Sequence, residues 1–190
     1  MFSGSGARLR SDDGGGDVHA LNEVLIHRGA SPHLAIVEVF VGGRFLTEAV
    51  ADGVLVSTPT GSTAYGLSAG GSIVHPLVPS LLLTPICPRS LSFRPLVLPA
   101  RSPVLLRLSE KNRGREVVVS IDGVRRGSGG GGGMEVRVCA EEIRAADGRW
   151  GGGVPCVVRG GVGGEADGED GWVGGLNGLL KFNYPFGEEG

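Results

Sequence analysis

A run of small hydroxyl residues and glycines between Asp52 and Pro76 carries the clearest chemistry in this chain. Pro59 lacks an N–H and Gly61 permits unusual dihedral angles, so regular structure is predicted to stop there. Ser62 or Thr63 is predicted to cap a following helical turn, whose free N–H groups favour anions or ribose oxygens. The segment therefore predicts a surface-facing elbow suited to a nucleotide.

Two other motifs within this run are weaker. Gly61 and Gly66 have the spacing of half a P-loop, but Leu67 follows where the loop needs lysine, so this interpretation is rejected. Residues 66–70 match the Gly-x-Ser-x-Gly elbow of serine hydrolases, with His75 as a conceivable base. That elbow needs a strand directly before Ser68, where a helix is predicted, so a hydrolase is the weak third hypothesis.

The whole segment, with three others, resembles the NAD kinase family, which phosphorylates NAD or NADH to NADP(H) with a nucleoside triphosphate. The other segments are Leu21–Gly29, which contains Asn22-Glu23, then Pro95–Pro99 followed by 119–123, and the ending 172–186. The ending is most similar to the fungal mitochondrial NADH kinases. The order of these segments makes the resemblance specific.

The resemblance implies a dinucleotide site. Asn22 and Glu23 would hydrogen-bond ligand hydroxyls, since an amide beside a carboxylate suits a cis-diol. Asp52 would lie near the nicotinamide ribose and amide, where a carboxylate offsets the cationic ring of NAD. Asp122 would lie near the ribose end. Without the resemblance, Asn22-Glu23 is an exposed turn or cap pair, and both aspartates are turn residues before glycine.

The adenine side of the site is implied at the helical turn of the long segment. Threonine hydroxyls can meet the adenine edge and an aromatic ring can line the pocket. The alternative is that the tyrosine is a half-buried core residue. The implied adenine-side residues are Thr60, Thr63, Ala64 and Tyr65.

The family's catalytic aspartate lies in a Gly-Gly-Asp-Gly loop that has no match here. Gly15-Gly16-Asp17 is followed by Val18 and lies almost against Asn22. The chain is therefore expected to be the C-terminal domain without its N-terminal α/β domain, with no catalytic residue of its own, and inactive alone. ATP and Mg²⁺ or another divalent ion are implied as partners of the reaction. A non-catalytic dinucleotide-binding or regulatory module is the alternative function.

Composition narrows the remaining classes. A net charge of −2 gives no case for nucleic acid or an anionic membrane. Cys87, Cys139 and Cys156 are odd in number and lack Cys-x-x-Cys spacing, so neither a metal site nor a disulfide framework is predicted. The start of the chain lacks a signal peptide pattern. The expected location is the mitochondrial matrix or the cytoplasm, not secretion, and the family implies a homo-oligomer.

Short strand patterns with turn signals predict a mainly β fold, a β-sandwich with few short helices. Residues 1–145 are predicted to form the NAD(H)-binding domain, and residues 146–190 a glycine-rich loop plus a tail. Pro85 and Pro88 predict that Leu81–Cys87 is an edge strand or irregular. Helices are predicted at 62–69 and 172–182.

Overall fold

The structure, a computed structural model, describes residues 7–10, 18–114, 116–129, 133–141, 172, 175–176 and 180. The chain divides into one unit of residues 1–156 and a second of residues 157–190. In the second unit Trp172, Gly175, Leu176 and Leu180 have helical backbone, and the rest of the predicted helix 172–182 lies outside the described residues. No helix among the described residues is long and apolar enough to cross a membrane.

Two six-stranded antiparallel sheets make up the first unit. The first sheet has the order β2-β1-β12-β9-β4-β5, and the second has the order β11-β10-β3-β6-β7-β8. The mainly β prediction is confirmed. The strands are β1 Ala7–Arg10, β2 Val18–Ala20, β3 Glu23–His27, β4 Ala35–Val41, β5 Arg44–Ala51, β6 Gly53–Ser57, β7 Ser80–Ile86, β8 Leu96–Pro99, β9 Val104–Leu108, β10 Val117–Ile121, β11 Val124–Gly129 and β12 Glu135–Ala140.

The two sheets share one apolar core, which makes the fold a β-sandwich. Successive side chains of a strand point to opposite faces, so every second residue enters the core. On β3 these are Val24 and Ile26, and on β6 Val54 and Val56, all at most 1% exposed. Glu23 is therefore on the other face of its sheet, where it can serve a site rather than the core.

The prediction for Leu81–Cys87 is wrong. β7 is a regular strand, fully buried along its length, and it lies between β6 and β8. The pairing of β7 with β8 ends at Leu83. Pro85 lies beyond that point and pairs only with β6, opposite Val54. A strand position that has a neighbouring strand on one side only can accommodate the missing N–H of proline on its unpaired side.

The helical prediction at 62–69 is correct in kind and wrong in detail. A 3₁₀ turn occupies Thr60–Thr63 and a single turn of helix, α1, occupies Tyr65–Ser68. The predicted capping by Ser62 or Thr63 does not occur, because Pro59 and Ala64 hold the two N-cap positions and neither makes a side-chain cap. The elbow is also less exposed than predicted, since Ser57, Thr58 and Ser62 are at most 1% exposed.

Candidate functional site

The start of β3 and the end of β6 meet at one corner of the second sheet. These strands pair antiparallel, with Glu23 opposite Ser57. The Thr58 N–H donates to the Asn22 carbonyl at 2.9 Å, and the Thr58 hydroxyl donates to the Leu21 carbonyl at 2.6 Å. The fold therefore places Asn22 and Glu23 beside the beginning of the hydroxyl-rich turn, as the predicted site requires.

Gly61 brings that turn against the backbone of Asn22. A Cβ on Gly61 would lie 2.1 Å from the Asn22 oxygen, a distance that no side chain can occupy. The Gly61 N–H donates to the Thr58 hydroxyl at 3.1 Å, which holds the turn closed. Glycine is needed here for close approach of two backbones rather than for an unusual dihedral angle.

Asp122 holds the same corner from the β10–β11 turn. One oxygen of its carboxylate accepts from the Asn22 and Glu23 N–H groups at 2.8 and 2.9 Å, and the other accepts from the Leu21 N–H at 2.7 Å. The Asp122 N–H donates in return to the Glu23 carbonyl at 3.0 Å. The structure thus brings Asp122 to Asn22 and Glu23, with its carboxylate bonded to backbone.

Buried polar atoms with no hydrogen-bond partner in the described part of the chain lie at this corner. They include Glu23 Oε2, Ser57 Oγ and Thr60 Oγ1. Such atoms are uncommon in native proteins, and each calls for water, a ligand or a functional reason. Burial, and secondarily the negative charge of Asp122, raises the pKa of the Glu23 carboxyl above its ordinary value. The corner therefore offers a desolvated carboxyl and hydroxyls with free hydrogen-bonding capacity.

The 3₁₀ turn is anchored through buried Ser62, whereas Tyr65 at the start of α1 is exposed. Ser62 Oγ accepts from the Val74 N–H at 3.0 Å and donates to the Val74 carbonyl at 3.3 Å. Thr63 and Ala64 are half-buried, and Tyr65 is 38% exposed. Tyr65 is thus accessible to a ligand. This exposure favours the binding role over the alternative, in which Tyr65 is a half-buried core residue.

Asp52 lies at the other end of β6, away from this corner. Its carboxylate pairs with Arg28 Nε at 2.5 Å, and its carbonyl accepts from the Arg28 N–H at 2.9 Å. Thr58 is six positions after Asp52 along an extended strand, which corresponds to about 20 Å. Within this chain, Asp52 therefore lies far from Asn22 and Tyr65. Its predicted place beside nicotinamide stays a prediction.

The hydrolase hypothesis is not supported. Ser68 is the last residue of α1, so the required strand does not precede it. The His75 ring nitrogen Nδ1 accepts from the Leu77 N–H at 3.1 Å, within a local turn. Neither residue has the arrangement of a nucleophile and its base.

A cavity of about 290 Å³ lies elsewhere in the described part of the chain, beside the outer edge of β5. Its lining includes Leu46, Glu48, Arg89 and Phe93, and none of the predicted site residues. The assignment of the predicted site therefore rests on its partnerless buried polar atoms and not on this cavity. No group of three or more His, Cys, Asp or Glu side chains suited to a metal ion occurs among the described residues.

The comparisons with known proteins confirm the family resemblance seen in the sequence. The model of the family described as ATP-NAD kinase C-terminal domain matches residues 21–147. The mitochondrial NADH kinase of Schizosaccharomyces pombe is 46% identical over 173 residues, which cover 91% of this chain and 41% of that protein. A crystal structure of yeast NADH kinase complexed with NADH matches with a TM-score of 0.72 and 42% identity, over 97% of this chain and 49% of that one.

An archaeal structure agrees as well. The NAD kinase from Archaeoglobus fulgidus in complex with ATP matches with a TM-score of 0.59 and 27% identity, over 72% of this chain and 51% of that one. The chain thus spans about half or less of the length of each of these relatives.

Proposed function

The chain belongs to the ATP-NAD kinase C-terminal domain family, and on that premise we propose that it binds NAD or NADH at the corner formed by β3, β6 and the 3₁₀ turn. The reaction served is transfer of the γ-phosphoryl group of ATP to the 2′-hydroxyl of the adenosine ribose. In this proposal the chain supplies the dinucleotide-binding part. The yeast relative whose structure contains NADH supports NAD(H) as the ligand class.

One observation carries the proposal: the fold gathers Asn22 and Glu23 with the turn that leads to Tyr65, and Glu23 Oε2 and Thr60 Oγ1 are buried there with no partner among the described residues. Glu23 Oε2 can accept a hydrogen bond from a ribose hydroxyl, and the Asn22 amide can donate and accept. The exposed Tyr65 ring offers stacking area to a base. Thr63 and Ala64 complete the proposed adenine side, and Asp122 supports the ribose end.

The chain's own contribution is binding and orientation. Phosphoryl transfer depends almost entirely on positioning and electrostatic stabilisation, so holding the ribose hydroxyl in place is itself a catalytic task. No general base is assigned to this chain. ATP is the proposed phosphoryl donor, consistent with the archaeal relative in complex with ATP.

The described residues do not fit a dedicated metal site, because they contain no cluster of three candidate ligands. A magnesium ion in such reactions keeps several waters and is bound by substrate phosphates with one or two carboxylates, not by a dedicated protein cage. We therefore propose Mg²⁺ as part of the triphosphate substrate and assign no step to it. The proposed location is the mitochondrion, supported by the mitochondrial relative in S. pombe. A homo-oligomer stays a prediction.

Two measurements on the chain of residues 1–190 test the proposal. Calorimetric titration with NAD and NADH should show binding, and Tyr65→Ala should weaken it while the exposed Leu91→Ala control does not. A coupled assay with ATP should show no NADP(H) formation at enzymatic rates. Binding without turnover supports the dinucleotide-binding part, turnover would show a base that we have not assigned, and no binding of either nucleotide would refute the site.

A further inference from the structure

We infer that Asp122 is a positioning residue: its carboxylate fixes the backbone of residues 21–23 so that the side chains of Asn22 and Glu23 face the dinucleotide. This inference rests on the proposed function of the corner. It differs from the sequence prediction, which placed Asp122 itself at the ligand.

The hydrogen bonds of Asp122 are the first support. Its two carboxylate oxygens accept from three consecutive N–H groups, those of Leu21, Asn22 and Glu23, at 2.7 to 2.9 Å. A carboxylate offers about four acceptor positions, so most of its capacity is used on backbone. Hydrogen bonds to an ionised acceptor are roughly twice as strong as neutral ones, which makes this anchor effective.

The peptide groups of Asn22 are held on both sides. Asp122 takes the Asn22 N–H, while the Asn22 carbonyl accepts from the Thr58 N–H and lies against Gly61. With its backbone fixed, the amide side chain of Asn22 remains for a ligand. Positions held this way lose less conformational freedom on binding, which favours affinity.

The conformation of Asp122 is the third support. Its φ is 47° and that of Gly123 is 76°, as in the left-handed turns that join antiparallel strands. Aspartate and asparagine are among the few non-glycine residues that tolerate this region. Asp122→Asn and Asp122→Gly therefore keep the turn while altering or removing the acceptor, so a loss of binding can be separated from a loss of fold.

The carboxyl of Glu23 gives a second readout. Among the described residues, Asp122 is the charged group that raises the pKa of Glu23. Neighbouring β6 presents Ser57, β10 and residues 58–63 contain no titratable side chain, and His27 lies at the far end of β3. If ionised Glu23 accepts from the ribose, affinity falls as the pH drops through its pKa. Without the negative charge of Asp122 that pKa is lower, so the acid-side loss of affinity should move to lower pH.

The test compares wild type, Asp122→Asn, Asp122→Gly, Glu23→Gln and the double variant Asp122→Asn with Glu23→Gln. Glu135→Gln is the matched control, because Glu135 is an ion-paired carboxylate of the other sheet. NAD titrations at several pH values give affinities, and NMR hydrogen exchange reports on the amides of residues 21–23. Asp122→Asn should weaken NAD binding about tenfold, speed exchange at those three amides, and shift the acid-side midpoint downward.

The outcomes separate the inference from the proposed function. Effects of Asp122→Asn and Glu23→Gln should be non-additive if Asp122 acts through Glu23. Additive losses, or an unshifted acid-side midpoint, would mean direct contact or a general fold effect and would overturn the inference. If Asp122→Asn leaves the exchange of amides 21–23 unchanged in the ligand-free chain, the inference is overturned. Wild-type chain that binds no NAD would refute the proposed function, whatever the exchange data show.

Discussion

Gly61 and the carbonyl oxygen of Asn22 are so close that a methyl group cannot be placed between them. A Cβ on Gly61 would lie 2.1 Å from that oxygen, 2.6 Å from its carbon and 2.9 Å from the Asn22 Cα. The glycine of the hydroxyl-rich turn therefore links the two sequence elements of the site. Neither element has this property when read alone.

Gly61→Ala should destabilise the chain by about 3 kcal/mol, because the clash is with backbone and cannot be relieved by a rotamer change. Chemical denaturation measures this. Gly175→Ala is the control, since a Cβ there meets nothing within 4 Å. Equal stability of the two variants would mean that the turn does not approach Asn22 as described.

Ser62→Ala should destabilise by about 1–3 kcal/mol, because the buried Val74 N–H loses its acceptor. The exposed Ser68→Ala should change stability little, and should leave any nucleotide binding intact. Thermal unfolding of both variants is the measurement. A larger loss from Ser68→Ala would contradict the assignment and would reopen a role for the Gly-x-Ser-x-Gly pattern.

Glu23→Gln should stabilise the free chain at neutral pH and weaken its binding of NAD(H). A buried carboxyl with a raised pKa favours folding when protonated, and that contribution is lost as the pH rises through the folded-state pKa. Glutamine removes this penalty but cannot accept as a carboxylate does. Unfolding midpoints at pH 4 and pH 7 test the sign: the advantage of the variant should appear only at the higher pH.

Asp52→Asn should leave NADH affinity of the isolated chain nearly unchanged, because Asp52 lies about 20 Å along β6 from the corner. Stability should fall by about 1 kcal/mol or less, since the Arg28 pair is partly exposed. Calorimetry with both nucleotides measures the effect. A loss of NAD affinity that exceeds the loss of NADH affinity would instead support the sequence prediction that places this carboxylate beside the cationic nicotinamide ring.

Local patterns were sufficient to predict most of the fold. The β-rich run 34–41, in which Glu38 is the only charge, is followed by Gly42-Gly43, and this pattern predicts a hairpin. The structure has that hairpin between β4 and β5, with φ values of 57° and 78° at the two glycines. The error at β7 arose because the effect of Pro85 depends on which neighbours pair beside it, and this is a property of the sheet. The capping error had a similar origin, since the hydroxyl of Ser62 found its partner in Val74, outside the turn.

The site was predicted through family resemblance more than through local chemistry. The resemblance named Asn22 and Tyr65, but the pairing of β3 with β10, about 100 residues away, decides what Asp122 does. Asp122 is distant from Asn22 in sequence and close to it in space, and for Asp52 and Thr58 the reverse holds. Asp52 is close to Thr58 in sequence, and the extended strand between them carries it away from the corner. Contacts between distant segments were the part that no local pattern contained.

Mapping NADH onto the chain by NMR tests the central claim most directly. Titration of ¹⁵N-labelled protein should shift the amides of Asn22, Glu23, Thr60, Thr63 and Tyr65 most strongly, with smaller changes at Asp122. Amides around the cavity beside β5, such as Glu48 and Phe93, should stay in place. Shifts confined to that cavity, or the absence of any shift at millimolar NADH, would contradict the assignment of the corner as the dinucleotide site.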